Sequence, residues 1–303
     1  MQIYLPIAEI SLNIFLILGM GGLVGFLSGM FGVGGGFLMT PLLMFAGVPP
    51  AVAVATGANQ ITAASVSGMQ AHWRRGGVDL KMGIVLTLGG LIGSYAGALL
   101  FSLLKGIGQI DLLIAISYVI FLTSIGLMML IESVRVVWQR HHGIKQLPRR
   151  RPRTWIDALP LKMRFRKSRQ YLSVFLPLIL GAFVGVLVAI MGVGGGFILV
   201  PAMIYLLNMP ANVVVGTSLF QMTLVTASVT FFHALNSYTV DVVLALLLLI
   251  GAVIGAQFGA RVGYKLKGEQ LRGLLGLIVL GVGVRMALDL FVTPRDIFSL
   301  IVM

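Results

Sequence analysis

Phe31-Gly32-Val33-Gly34-Gly35-Gly36-Phe37 returns 160 residues later as Met191-Gly192-Val193-Gly194-Gly195-Gly196-Phe197. Pro41 matches Pro201, and Pro50 matches Pro210, at the same shift. One residue is then gained, so Thr56, Gln60, Thr62 and His72 match Thr217, Gln221, Thr223 and His233. After one more, Gly89, Gly93 and Gly97 match Gly251, Gly255 and Gly259. The chain is an internal duplication. Each glycine run opens a short apolar piece, Phe37–Ala46 or Phe197–Leu207. At 1.5 Å per residue, each crosses only about half of a bilayer core.

Around these pieces lie apolar segments long enough to span a membrane. They are Ile10–Gly29, Met82–Leu104, Leu112–Ile131, Tyr171–Ile190, Val242–Ala260 and Leu271–Val292. Ala51–His72 and Ala211–His233 are as long but dotted with Thr, Ser, Asn and Gln. Of 303 residues, 58% are hydrophobic and 10% charged, and the mean hydropathy is +1.02. So little polar surface excludes a water-soluble enzyme and a disordered chain. Continuous apolar runs argue against a β-barrel, whose strands alternate. The expected fold is an all-α membrane protein of two inverted-topology repeats, with about five transmembrane or half-membrane helices each. Length suggests about two domains: a first repeat (1–137), a basic linker (138–170) and a second repeat (171–303).

The net charge is +13, and 12 of the 22 Lys and Arg lie between Arg135 and Arg169. Basic loops stay on the cytoplasmic side, which accounts for this cluster without nucleic acid. The same loop suits anionic lipid headgroups. The turn with Arg74, Arg75 and Lys81 should share its side. The equivalent turn, Asn236-Ser237-Tyr238, has no Lys or Arg and should face out, which inverts the repeats. Arg261, Lys265, Lys267 and Arg272 then fall inside, and the N-terminus falls outside. The start of the chain has no basic n-region, so a cleaved signal peptide is not expected.

Paired, glycine-broken helices in inverted repeats point to a secondary transporter with its site near the midplane. Gly34, Gly35, Gly36, Gly194, Gly195 and Gly196 let the chain turn there. A helix start carries free N–H donors and partial positive charge, so two of them would hold a small anion. Glycines spaced by four, such as Gly21/Gly25/Gly29, read instead as close packing. Thr56, Asn59, Gln60, Thr217, Ser218 and Gln221 are the polar residues expected to line the site, because polar groups in a span need partners or a wet cavity. Ser67 and Ser228 read as bonded to their own helices. His72 and His233 fit either proton coupling or interfacial capping. Arg285 and Asp289, four apart, read as a local ion pair.

No cofactor is expected. The glycine runs lack the Gly-Lys-Ser/Thr of a phosphate loop, and there is no strand–turn–helix unit for a dinucleotide. No cysteine is present, and four histidines and nine carboxylates leave little for a metal cage.

The doubled GVGGGF motif, with T-P-L-L or V-P-A-M after it and then A-T-G-A-N-Q or G-T-S-L-F-Q, resembles the TauE/SafE family of membrane proteins. The likeness runs from about Phe15 to Phe291. It implies a permease for sulfite, sulfonates such as sulfoacetate, thiosulfate or related small anions, usually exporting across the bacterial inner membrane. The long basic loop is an addition to the family's minimal pattern. Other small anions such as carboxylates stay open, as does pairing into a homodimer. A cation or metal permease would need carboxylates on the two polar helices, which have none between Thr56 and Ser67 or Thr217 and Ser228. A membrane enzyme would need a nucleophile–base pair or metal cluster, which His72 and His233 alone do not make.

Overall fold

A computed structural model of the chain describes residues 2–31, 34–141, 161–165, 167–168, 170–263 and 268–291. Gly32, Val33, Lys265, Lys267 and most of the basic linker lie outside them. Helices dominate. The first half runs α1 (Ile14–Phe31), α2 (Gly36–Phe45), α3 (Pro50–Arg74), α4 (Leu80–Gly106) and α5 (Ile110–His141). The second half runs α6 (Phe175–Met191), α7 (Gly196–Tyr205), α8 (Ala211–Phe232), α9 (Val242–Gly263) and α10 (Gly268–Phe291), with a π-helical turn at His233–Ser237 after α8.

Local chemistry sets the boundaries. Pro50 opens α3, where a missing N–H costs nothing, and Pro210 immediately precedes α8. Asp79 caps α4 by accepting from the Met82 N–H at 3.3 Å. Pro41 and Pro201 sit inside the short helices α2 and α7, each removing one internal hydrogen bond.

The packing follows the duplication. α1 lies on α9, and its counterpart α6 lies on α4; α3 crosses α8, and α5 lies on α10. Small residues bring the backbones together. A β-carbon at Gly25 would overlap the Ala252 carbonyl, and one at Gly93 would overlap that of Ala182. The close-packing reading of the glycines spaced by four therefore holds.

The outside is apolar. Ile84, Leu88 and Ile92 on α4 are exposed, as are their equivalents Leu246, Ile250 and Ile254 on α9. Thr56, Gln60, Ser65, Thr217, Ser218 and Gln221 are buried. Among the described residues, five helices are long and apolar enough to cross a membrane, and this inside-out distribution is what lipid demands. The chain is a multi-pass helical membrane protein.

Two hairpins depart from the expected spans. β1 (Gln2–Leu5) pairs antiparallel with β2 (Ile10–Asn13), and β3 (Lys162–Phe165) with β4 (Gln170–Ser173). The spans expected from Ile10 and Tyr171 thus begin as strands. The first hairpin folds back around Pro6 and a Glu9 with φ of 54°. Hydropathy counts those residues toward a span, because it does not see the turn. The two hairpins are themselves related by the shift of 160, so the duplication extends to Gln2. Trp138–His141, assigned to the linker by charge, continue α5.

Candidate functional site

The glycine runs turn as expected and meet. Gly34 and Gly35 have φ of 86° and 70°, and Gly194 and Gly195 have 78° and 71°. These are left-handed conformations that residues with a β-carbon resist. Gly35 and Gly195 are the N-caps of α2 and α7. Phe37 and Phe197, the second residues of those helices, stack with ring centroids 4.8 Å apart and planes 13° apart. A β-carbon on Gly36 would lie 2.8 Å from the Gly192 carbonyl oxygen. Two helix N-termini, one from each half, therefore converge on one junction; the Leu38 and Ile198 N–H groups bond back to the Gly35 and Gly195 carbonyls, and that of Gly196 to the Gly194 carbonyl.

Side chains from the crossing helices fill that junction. Ile61 of α3 touches the positions where Gly34, Gly36 and Gly194 would carry β-carbons, and Met222 of α8 overlaps that of Gly34. Ile61 and Met222 are repeat equivalents, and both are buried. Below them α3 and α8 are bridged by a Thr62–Thr226 hydroxyl pair at 2.8 Å. From α5, the Tyr118 hydroxyl donates to the Met191 carbonyl at 2.6 Å, holding the residue before the second glycine run.

Gln60 and Gln221 are 0% exposed, and none of their amide nitrogens or oxygens has a hydrogen-bond partner. Buried amides in that condition are rare, since each lost bond costs about 1–3 kcal/mol. The Gln221 nitrogen lies against Gly90 of α4, 2.8 Å from where a β-carbon would be. It stands with the α4 side of the bundle, one residue before the Met222 that reaches the glycine junction. Asn59 is half-buried.

The other expected residues are elsewhere. The Thr217 hydroxyl donates to the Val213 carbonyl at 2.7 Å and accepts from the Asp79 N–H at 3.0 Å. The Thr56 hydroxyl accepts from the Asp241 N–H at 3.1 Å. Both are a helical turn away from their glutamines, at the starts of α4 and α9. The Ser218 hydroxyl bonds back to Val215, and that of Ser228 to Leu224. His233 is buried, with Nε2 2.9 Å from the Ala189 carbonyl and its ring 4.4 Å from that of Phe101. His72 is half-buried near the end of α3. Arg285 lies over the Phe45 ring at 4.4 Å.

Sequence reading missed Asp79, Asp241, Ile61, Met222 and Tyr118. The first four had a signal, because Val78-Asp79 and Val240-Asp241 repeat at 162, and Ile61 and Met222 at 161. Tyr118 had none, since its repeat position is Leu280.

The family described as "Sulfite exporter TauE/SafE" matches residues 17–286, which takes in both glycine turns and both polar helices. The chain belongs to the TauE/SafE family. It is 28% identical over 270 residues to the Bacillus subtilis (strain 168) "Probable membrane transporter protein YjnA", covering 88% of this chain and 97% of that one. It is also 28% identical over 274 residues to a "Probable membrane transporter protein" of Xylella fastidiosa, covering 88% and 92%. A shorter match, 46% over 52 residues, joins it to the Arabidopsis thaliana "Sulfite exporter TauE/SafE family protein 6", covering 17% and 12%. No solved structure matches. The TauE/SafE chain is thus a membrane transporter by family.

Proposed function

We propose that this chain is a secondary transporter that exports small sulfur-containing anions, such as sulfite, sulfonates or thiosulfate, across a bacterial inner membrane. The anion binds at the midplane junction of α2 and α7 once Ile61 and Met222, which fill it in this structure, move aside. One observation carries this reading: two glycine-capped helix starts, joined by the Phe37–Phe197 stack, converge where no Lys or Arg is present among the lining residues. Helix ends supply positive potential and N–H donors without a desolvated counter-charge. Gln60 and Gln221, with unspent amides on the flanking helices, supply neutral donors. The Arabidopsis relative, named as a sulfite exporter TauE/SafE family protein, supports the same reading.

Inverted topology is part of the proposal, and inter-element contacts support it. The Asp79 carboxylate bonds Ser168, which brings the exposed Arg74, Arg75 and Lys81 and the hairpin beside the basic linker to one end of the bundle. At the other end of α4, about 40 Å away, the Lys105 ammonium donates to the Ser237 carbonyl. Basic residues crowd the first end, which we assign to the cytoplasm with the linker, where anionic headgroups can meet it.

The test is flux through the purified protein in liposomes, with sulfite, thiosulfate, sulfoacetate, sulfate and lactate, with and without a pH gradient. Selective flux of the sulfur anions is expected. Equal flux of lactate, or no anion flux, would remove the substrate assignment.

A further inference from the structure

Each half of the chain places a buried aspartate on the hairpin of one end. Asp79 is 3% exposed and Asp241 1% exposed, and they are repeat equivalents. Each divides its two oxygens between two tasks. In Asp241, Oδ1 accepts from the Val243 and Leu244 N–H groups at 3.1 Å each, capping α9. Its Oδ2 accepts from the Ile7 N–H at 3.0 Å, in the turn of the first hairpin. In Asp79, Oδ1 caps α4, while Oδ2 accepts from the Ser168 N–H at 2.9 Å and hydroxyl at 2.6 Å, in the turn of the second hairpin. Capping needs only one acceptor, which is why Ser and Thr serve as N-caps. The second oxygen is therefore spare to capping, and at both ends it reaches a hairpin.

The connections cross between halves. Asp241 belongs to the second half, yet it holds the first hairpin and, through its N–H, Thr56 of α3. Asp79 belongs to the first half, yet it holds the second hairpin and Thr217 of α8. Leu5 and Phe165 are equivalent hairpin residues, both 0% exposed, and each packs into the core at its own end. A two-stranded hairpin has little stability of its own, so its position depends on such anchors. β2 ends at Asn13 and α1 starts at Ile14, so the first hairpin runs directly into α1; β4 and α6 are joined almost as directly. Both hairpins are anchored at once in this structure, while Ile61 and Met222 fill the centre. Gln60, Ile61, Gln221 and Met222 at the centre are all 0% exposed.

We propose that the hairpins are two gates, one per end, and that Asp79 and Asp241 are their latches, positioning residues that decide which end opens. Release of the Asp79 latch opens the end bearing Ser168; release of the Asp241 latch opens the end bearing Ile7. The assignment rests on the transporter reading but not on which anion is carried.

The experiment uses the absence of cysteine. Met222→Cys puts a thiol at the central junction, and an impermeant maleimide is applied to intact cells or to inside-out vesicles. Asp79→Ala should raise labelling several-fold from the Ser168 side only, and Asp241→Ala from the Ile7 side only. Ser168→Ala, which removes one latch bond and leaves the α4 cap intact, should shift labelling in the same direction as Asp79→Ala, by less. Cysteines at the exposed repeat equivalents Leu80 and Val242 report separately which side the starts of α4 and α9 face. If those two label from the same side, the inverted topology fails. If they label from opposite sides and position 222 then labels equally from both, or is unchanged in all three variants, the gates are refuted and the topology stands.

Discussion

Phe37 and Phe197 stack at 4.8 Å, each from the first turn of a half-helix in its own repeat. The contact sets how closely two helix N-termini approach, and therefore how their dipoles add at the junction. Phe37→Ala or Phe197→Ala should each destabilise the protein by about 3–5 kcal/mol. The double variant should lose less than the sum, with about 0.5–1.5 kcal/mol of coupling from the ring pair. Unfolding in detergent of the two single variants and the double one measures this. Full additivity would mean the rings do not hold the helix starts together.

The glycine caps should be far less tolerant than other glycines of the same φ. A β-carbon on Gly35 would stand 2.9 Å from Ser28 Cβ and Val24 Cγ1, and one on Gly195 2.5 Å from Val184 Cγ1. Gly35→Val and Gly195→Val should abolish transport while the protein still inserts. Gly47 has φ of 91° but nothing within 4 Å. Gly47→Ala should cost about 1 kcal/mol from backbone strain alone and keep transport. Flux assays on all three discriminate the junction from simple backbone strain.

Gln60 and Gln221 should trade stability for function. Each buries an amide with no partner. Gln60→Leu and Gln221→Leu should therefore raise the melting temperature of the ligand-free protein, by about 1–3 kcal/mol of relieved desolvation. Both should also lose the thermal stabilisation expected of the wild type on adding sulfite. A variant that melts lower, or keeps the full sulfite effect, would show that the amide is satisfied without ligand.

Much of this architecture is legible in the residues. The doubled glycine run predicts the two half-helices because three consecutive glycines have no other reason to precede a short apolar helix. Gly93 and Gly25 read correctly as packing glycines because the spacing of four puts them on one helix face. The hairpins are not legible. Ile10–Asn13 and Gln170–Ser173 are apolar enough to pass as helix starts, and strand pairing depends on the partner strand. The roles of Thr56 and Thr217 are not legible either. Their spacing from Gln60 and Gln221 is one helical turn, which suggests a shared lining, but the partner of each is a backbone N–H on the opposite half. Asp79 and Asp241 escape notice because a lone acid before an apolar helix reads as a cap, and capping accounts for only one of its oxygens.

The central claim is that an anion, held by helix ends and neutral amides, occupies the α2–α7 junction. Calorimetric titration of the purified protein with sulfite tests it most directly, repeated with Gly35→Val and with the neutral analogue dimethyl sulfone as competitor. The account predicts saturable sulfite binding to the wild type, none to Gly35→Val, and no competition from the sulfone, because converging helix dipoles require negative charge. Undiminished binding to Gly35→Val, or displacement of sulfite by the sulfone, would contradict it.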